Sequence, residues 1–176
     1  MLITNPYLLT GNPDNENNAS LYAPGELGAI YQRGDNQWQQ VQLDSGATAS
    51  ANVAPKVGQL MYWKNKLQKI VTNDTKQAVN PAIANSFGNN VAGVLRNAAT
   101  PGNYVWIMQR GLGIPIVSLG SALTNQQVVS ADTSNAGGVV GTNVGSAVNY
   151  QILGTATAAT ASSLTTVDLN IKEWVL

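Results

Sequence analysis

The chain has 176 residues, and its nine basic and nine acidic side chains give no formal net charge. A chain of this length fits one domain, or one domain with an extended arm. Charged residues make up 10% of the sequence, against about 25% in an average globular protein, and no basic stripe of the kind that binds nucleic-acid phosphates is present.

Two residue types that carry much of enzyme chemistry are missing, because the chain contains no His and no Cys. Their absence excludes the commonest general base, histidine metal ligands and thiolate nucleophiles. The nine acids are scattered, and most lie beside Asn, Ser or Gly, where turn chemistry accounts for them. The longest apolar runs, such as GIPIV, are too short to cross a bilayer. The sequence therefore predicts no enzyme, no cofactor or metal, and no nucleic-acid or membrane partner.

Residues 1–25 are typical of an extended arm. The segment TGNPDNENNAS consists of turn-forming residues and amides, and it has no apolar period to anchor it. Just before it, Tyr7, Leu8 and Leu9 form a short apolar group that could dock on a partner.

Two hairpins are predicted from Leu27 onward. In the first, residues 29–32 and 37–43 flank a turn at residues 33–36. This turn contains Arg33-Gly34-Asp35, a tripeptide that some adhesion receptors bind, although the need for a turn explains it without a receptor. The second hairpin is GQLMYWKNKLQKIVTND, with its turn at residues 64–66.

The segment TKQAVNPAIANSFGNN is the best candidate for a short helical insertion, although Pro81 limits any helix before it. The strand VAGVLRNA follows, TPGN turns the chain, and YVWIMQRG returns antiparallel to it. Next comes IPIVSL, with Pro115 favouring the edge of a sheet.

The strand after TPGN is apolar on both faces. Val105 and Ile107 lie on one face, and Tyr104, Trp106 and Met108 lie on the other. A strand with one wet face alternates apolar and polar residues, so both faces of this strand are expected to be covered.

Small residues dominate positions 120–165. Within and just after this region, NYQIL and TTVDLNI are strand-like, and ATAATASS between them is either a short helix or a loop. The chain ends IKEWVL, and we expect Trp174 to pack against a partner surface. The whole pattern predicts a mainly β fold over 26–176 with a short helical insertion, preceded by an extended N-terminal arm over 1–25.

The second half of the chain resembles the small capsid decoration (cement) proteins of tailed bacteriophages. In that family a VAGV strand leads through a Gly-Asn turn to a VWI strand and a glycine, and a late Ile-Gly-x-Ala element precedes a closing strand. The matching positions are Val91–Val94, Gly102–Asn103, Val105–Ile107 with Gly111, Ile152–Ala156 and Val167–Leu169. The resemblance covers roughly residues 57–171.

This resemblance implies a compact, small β-barrel or β-tulip-like domain, present in many copies on the outer surface of the capsid. In such a barrel, Val105 and Ile107 are expected to fill the interior, and the opposite face of the same strand is expected to meet either a neighbouring chain or an internal segment such as ATAATASS. The resemblance also implies binding to the major capsid protein and a homo-oligomer, with a trimer favoured and a dimer open. The candidate subunit or capsid contacts are Tyr7, Leu8, Leu9, Tyr104, Trp106, Met108 and Trp174.

An alternative function is a fibre-base or receptor-binding module of the virion that holds a carbohydrate. Trp38, Trp63, Trp106 and Trp174 could stack on sugars in a groove, although core or interface packing is the more common use of such residues.

Overall fold

The fold is described from a computed structural model, which covers residues 2–3, 27–48, 53–78, 90–97, 100–118, 122–132, 135–142, 152–160 and 163–171. These residues contain eleven strands and one 3-10 helix at Thr75–Ala78. The strands are β1 (Leu2–Ile3), β2 (Ile30–Arg33), β3 (Asn36–Leu43), β4 (Leu60–Asn65), β5 (Ile70–Thr72), β6 (Val91–Leu95), β7 (Tyr104–Val117), β8 (Val128–Ala131), β9 (Val139–Gly141), β10 (Ile152–Ala156) and β11 (Leu164–Asn170).

Five strands close into a β-barrel in the order β3-β5-β4-β6-β7. The barrel closes through an antiparallel pairing of β3 with β7, which runs from Gln37↔Arg110 to Gln42↔Tyr104. Four of the five neighbouring pairs are antiparallel, and β3 and β5 pair in parallel. The prediction of a mainly β fold built on a small barrel is confirmed.

The strands form one continuous sheet, which extends beyond the barrel through β7. We call the part formed by β11, β10, β8, β9 and the second half of β7 the second sheet. The first half of β7 pairs with β3 and β6 in the barrel, and its second half pairs with β11 from Arg110 to Val117. From β11 the second sheet continues through β10 and β8 to β9, with each neighbouring pair antiparallel. One strand therefore joins the two layers of the molecule.

The barrel interior is filled by side chains that alternate along the strands, as the two-residue period of a strand requires. Val105 and Ile107 are fully buried there, so the prediction that this face of β7 fills the barrel is confirmed. The members of this barrel cluster are Val41, Leu43, Ala47, Met61, Trp63, Val71, Ala92, Leu95, Val105 and Ile107.

A larger apolar cluster includes the outer wall of the barrel and the inner face of the second sheet. From the barrel it takes residues such as Trp38, Leu60 and Trp106, and from the second sheet it takes residues such as Leu153 and Val167. We call this group the interlayer cluster. It explains why β7 is apolar on both faces, because one face fills the barrel and the other packs within the same chain.

Local sequence signals placed the hairpins correctly. Ile30↔Gln39 to Arg33↔Asn36 pair across a two-residue turn, and β6 and β7 pair antiparallel as expected. The turn of the second hairpin lies at residues 66–69, slightly later than predicted, because β4 continues to Asn65.

The structure differs from the sequence predictions in two respects. The strand of YVWIMQRG does not stop at its glycine, because β7 continues through Gly111 and Gly113 to Val117. The strands β8 and β9 were not predicted.

The 3-10 helix Thr75–Ala78 opens the predicted helical insertion, whose remaining residues 79–89 lie outside the described part of the chain. The predicted arm also lies outside it, apart from β1, which pairs in parallel with β2.

Candidate interaction surface

The prediction that Trp106 and Met108 form an interface is corrected by their burial within a single chain. Their exposed fractions are 0% and 1%, and both belong to the interlayer cluster. A side chain that is already covered by its own chain presents no area to a partner. This face was expected to be covered either by a neighbouring chain or by a segment of the same chain. The structure supports cover by the same chain, which the interlayer cluster provides.

Tyr104 differs from its two neighbours on the same face. It is partly exposed and packs against the edge of the interlayer cluster, opposite Gln42 of β3. Its role as a contact residue therefore stays a prediction. The candidates Tyr7, Leu8, Leu9 and Trp174 lie outside the described residues.

The three described tryptophans do not form a sugar-binding groove. Trp38 and Trp106 have no exposed area, and Trp63 is 3% exposed. Trp63 belongs to the barrel cluster, whereas Trp38 and Trp106 belong to the interlayer cluster. Stacking on a sugar needs an accessible ring face, so these tryptophans act as core residues.

The Arg33-Gly34-Asp35 tripeptide lies at the tip of the β2–β3 hairpin. Gly34 has a φ of +57°, which suits the first central position of a two-residue hairpin turn. The Asp35 carboxylate lies 4.0 Å from the guanidinium of Arg110, and both side chains are more than half exposed. The interpretation of this tripeptide as a turn is confirmed.

The buried acidic residues serve local structure. The Asp44 carboxylate forms a 2.8 Å ion pair with Lys64, and the Asp132 carboxylate accepts hydrogen bonds from the backbone and side chain of Asn135. In the part of the chain that the structure describes, no three His, Cys, Asp or Glu residues come together to hold a metal. The described residues also include no helix with the length and apolar character to cross a membrane.

Tyr62 is a buried polar residue on the outer wall of the barrel. It has no exposed area, and burial, with a smaller contribution from the charge of Asp132, raises the pKa of its hydroxyl well above the ordinary value. A phenol held in its neutral form this firmly serves neither as a base nor as a nucleophile near neutral pH. We assign Tyr62 to the interlayer packing.

The β4–β5 hairpin forms a basic projection at one end of the barrel. Leu67 at its tip is 96% exposed, and the ammonium of Lys69 lies 5.3 Å from the centroid of the Trp63 ring. Since Lys64 is paired with Asp44 and Lys69 is held over Trp63, two of its charges are already engaged within the chain. At the tip, Leu67 is exposed between Lys66 and Gln68.

A broader surface lies on the second sheet, on the side that faces away from the barrel. Along β11 the residues alternate between exposed or half-buried (Leu164, Thr166, Asp168) and buried (Thr165, Val167). Leu112 of β7 and Ile152 of β10 also face outward, with exposed fractions of 66% and 49%. We call the exposed side of β7, β11 and β10 the outer face. The other exposed residues on these strands are Arg110, Gly113, Pro115, Thr155 and Asn170.

The outer face has no net charge, because it carries one cation and one anion. Residues 111–167 contain a single charged side chain, Asp132. The two charges on the strands that form the face are Arg110 and Asp168. Arg110 lies near Asp35, and the Asp168 carboxylate accepts a 2.8 Å hydrogen bond from the backbone of Gly113. Aliphatic and threonine side chains therefore dominate the chemistry of the outer face.

Sequence reasoning missed this surface because it grouped most of the second sheet with a low-complexity region. The alternation in LTTVDLN was a usable signal, since it marks a strand with one buried face and one wet face. What it could not supply was the pairing of β11 with the second half of β7, which brings Leu112 and Leu164 onto one face.

No protein-family model matches the chain, and no curated protein sequence matches it. A functional proposal for this protein therefore depends on its residues, its fold and the motif resemblance.

Proposed function

We propose that this chain is a structural virion protein that binds the outer surface of a tailed-phage head and cements neighbouring major capsid protein subunits. The observation that carries the proposal is the outer face, a sheet surface without net charge on which aliphatic and threonine side chains predominate. A protein that holds its partners together needs a contact surface of this kind and does not need a catalytic site.

The fold supports the same proposal. The motif resemblance implies a compact β-barrel domain, and the chain folds around a closed five-stranded barrel. Low charge and abundant amides are compatible with a dry contact to another protein, because few charges have to be desolvated there. The oligomer is proposed to be a trimer, with a dimer as the alternative.

The proposed mechanism is stabilisation by binding. Packed DNA pushes outward on the head, and a protein that binds the expanded shell but not its separated subunits shifts the equilibrium toward the intact shell. Each copy need contribute only a small free energy, because many copies act together. No chemical step is needed.

Copy number in purified virions tests the proposal directly. Quantitative mass spectrometry should give a ratio to the major capsid protein within about a few-fold of one to one, as a shell-wide layer of protein requires. A handful of copies per particle would instead favour a fibre or vertex component. Absence from the particle would overturn the proposal.

A further inference from the structure

Exposed aliphatic residues concentrate on the outer face. The described residues contain five exposed large hydrophobic side chains, and three of them, Leu112, Ile152 and Leu164, lie on this face. The other two, Val53 and Leu67, are elsewhere on the chain. Single exposed apolar residues are ordinary on a protein surface, whereas several on one sheet face mark a contact site.

Strand register gives the dimensions of the face. Leu112 lies beside Asp168, where two residues of β7 oppose one of β11, and Leu164 lies at the far end opposite Val117. Ile152 lies beyond the other end, three residues from the Thr155 that pairs with Asp168. At about 3.3 Å per residue and about 4.8 Å per strand, three strands of this length cover roughly 300 Å².

The area of the outer face distinguishes between its possible binding partners. A stable complex between two free proteins buries about 800 Å² on each partner, so a dimer held by the outer face alone would be weak. A lattice that presents the same binding surface many times lets several weak contacts of one oligomer act together. The outer face therefore suits an assembled array better than a single free copy of this chain.

The chemistry of the face defines the surface that it fits. Its two charges are opposite in sign: the exposed Arg110 lies 4.0 Å from Asp35, and the Asp168 carboxylate accepts a hydrogen bond from the Gly113 backbone. Thr155 and Thr166 place hydroxyl groups between the aliphatic side chains. A surface with charges of a single sign would lose hydration on binding and gain no net attraction, because the two charges of the face cancel. The matching surface is apolar and uncharged, with a few hydrogen-bonding groups.

We propose that the outer face is the surface that contacts the major capsid protein, and that it does so only in the assembled shell. This inference rests on the proposed function and adds the contact residues to it. Leu112 and Leu164 lie near the centre and at one end of the contact, whereas the β4–β5 hairpin with Leu67 lies outside it.

The test uses the full chain and expanded heads of the phage that encodes it, prepared without this protein. Leu112→Asp and Leu164→Asp place a charge on the outer face, and Leu67→Asp makes the same change on the hairpin as the matched control. All three positions are exposed, so each variant should keep the wild-type circular dichroism spectrum and thermal midpoint. Binding is measured by co-sedimentation with heads and, in parallel, with unassembled major capsid protein.

We expect each outer-face variant to bind heads at least about tenfold more weakly than wild type, and Leu67→Asp to bind within about twofold of wild type. Wild-type protein should bind unassembled capsid protein much more weakly than heads. Failure of the wild-type protein to bind heads would overturn the proposed function itself.

Three other outcomes would overturn the inference while leaving the proposed function standing. In the first, wild type and both outer-face variants bind heads equally well. In the second, Leu67→Asp alone loses binding, which would assign the contact to the hairpin. In the third, sedimentation equilibrium shows that the outer-face variants abolish self-association without weakening head binding, which would assign the face to a second copy of this chain.

Discussion

Tyr62 illustrates how strongly a single polar group can be constrained in this molecule. Its side chain has no exposed area, and its hydroxyl has no hydrogen-bond partner among the described residues. A buried hydroxyl without a partner opposes folding, because water would solvate it in the unfolded chain. Burial, followed by the nearby charge of Asp132, also raises the pKa of the hydroxyl above its ordinary value.

These facts predict how Tyr62→Phe changes the dependence of stability on pH. In the unfolded chain a tyrosine hydroxyl loses its proton near pH 10, whereas the native Tyr62 keeps it to higher pH. Above about pH 10 the unfolded state therefore binds fewer protons than the native state. The free energy of unfolding then falls by up to about 1.4 kcal/mol per pH unit, and this contribution is absent at lower pH.

Urea unfolding of wild type and Tyr62→Phe from about pH 7 to pH 11 measures the effect. At neutral pH the variant should be at least as stable as wild type, with a gain of up to about 1 kcal/mol, because it loses an unpaired buried hydroxyl. Above pH 10 its stability should fall less steeply than that of wild type. Parallel curves over the whole range would contradict the assignment.

At the scale of the elements, β6 and β7 lie unusually close together at Gly93. A Cβ atom at this position would come within 2.8 Å of the Met108 carbonyl oxygen and 2.9 Å of the Ile107 Cβ. Both atoms belong to the strand that closes the barrel, so neither can move without disturbing the β3–β7 pairing. Glycine at position 93 is therefore a packing requirement of the barrel wall.

We expect Gly93→Ala to lower the free energy of unfolding by about 1–3 kcal/mol through overpacking. Gly138→Ala is the matched control, because the nearest atom to its added Cβ, the Asn135 carbonyl oxygen, lies at 3.4 Å. Chemical denaturation should separate the two variants clearly. Equal midpoints for Gly93→Ala and wild type would mean that the two strands are not this close in solution.

Some elements follow from local sequence, and others do not. The hairpins and the barrel face of β7 were predictable because alternation and turn residues are local signals, as at Gly34 and at Val105 with Ile107. The burial of Trp106 was not predictable, since it depends on pairing between β7 and β11, which are distant along the chain. The outer face could not be predicted from the sequence for the same reason. Its members Leu112 and Ile152 are brought together only by the β7–β11 and β10–β11 pairings.

At the scale of the whole molecule, the barrel and the second sheet share a strand and a core. The interlayer cluster draws residues from both layers, and β7 contributes to this cluster and to the barrel cluster. Loss of either layer would expose apolar surface on the other. The two layers should therefore stabilise each other as a single cooperative unit.

We expect equilibrium unfolding to follow one transition. Variants that retain only Trp63 report on the barrel cluster, and variants that retain only Trp106 report on the interlayer cluster. Their fluorescence midpoints should each coincide with the far-ultraviolet circular dichroism midpoint of the same variant. A fluorescence change at Trp106 well before the loss of strand signal would show that the second sheet detaches first.

The continuity of β7 also determines how the molecule would carry a mechanical load. A pull applied to the second sheet travels along this strand into the barrel, where β7 is hydrogen-bonded to β3 on one edge and to β6 on the other. A pull along the strand axis loads these bonds in shear, so many must break together, whereas a pull across the strands would open them one at a time. A tether attached at the second sheet would thus resist tension best when that tension runs parallel to β7.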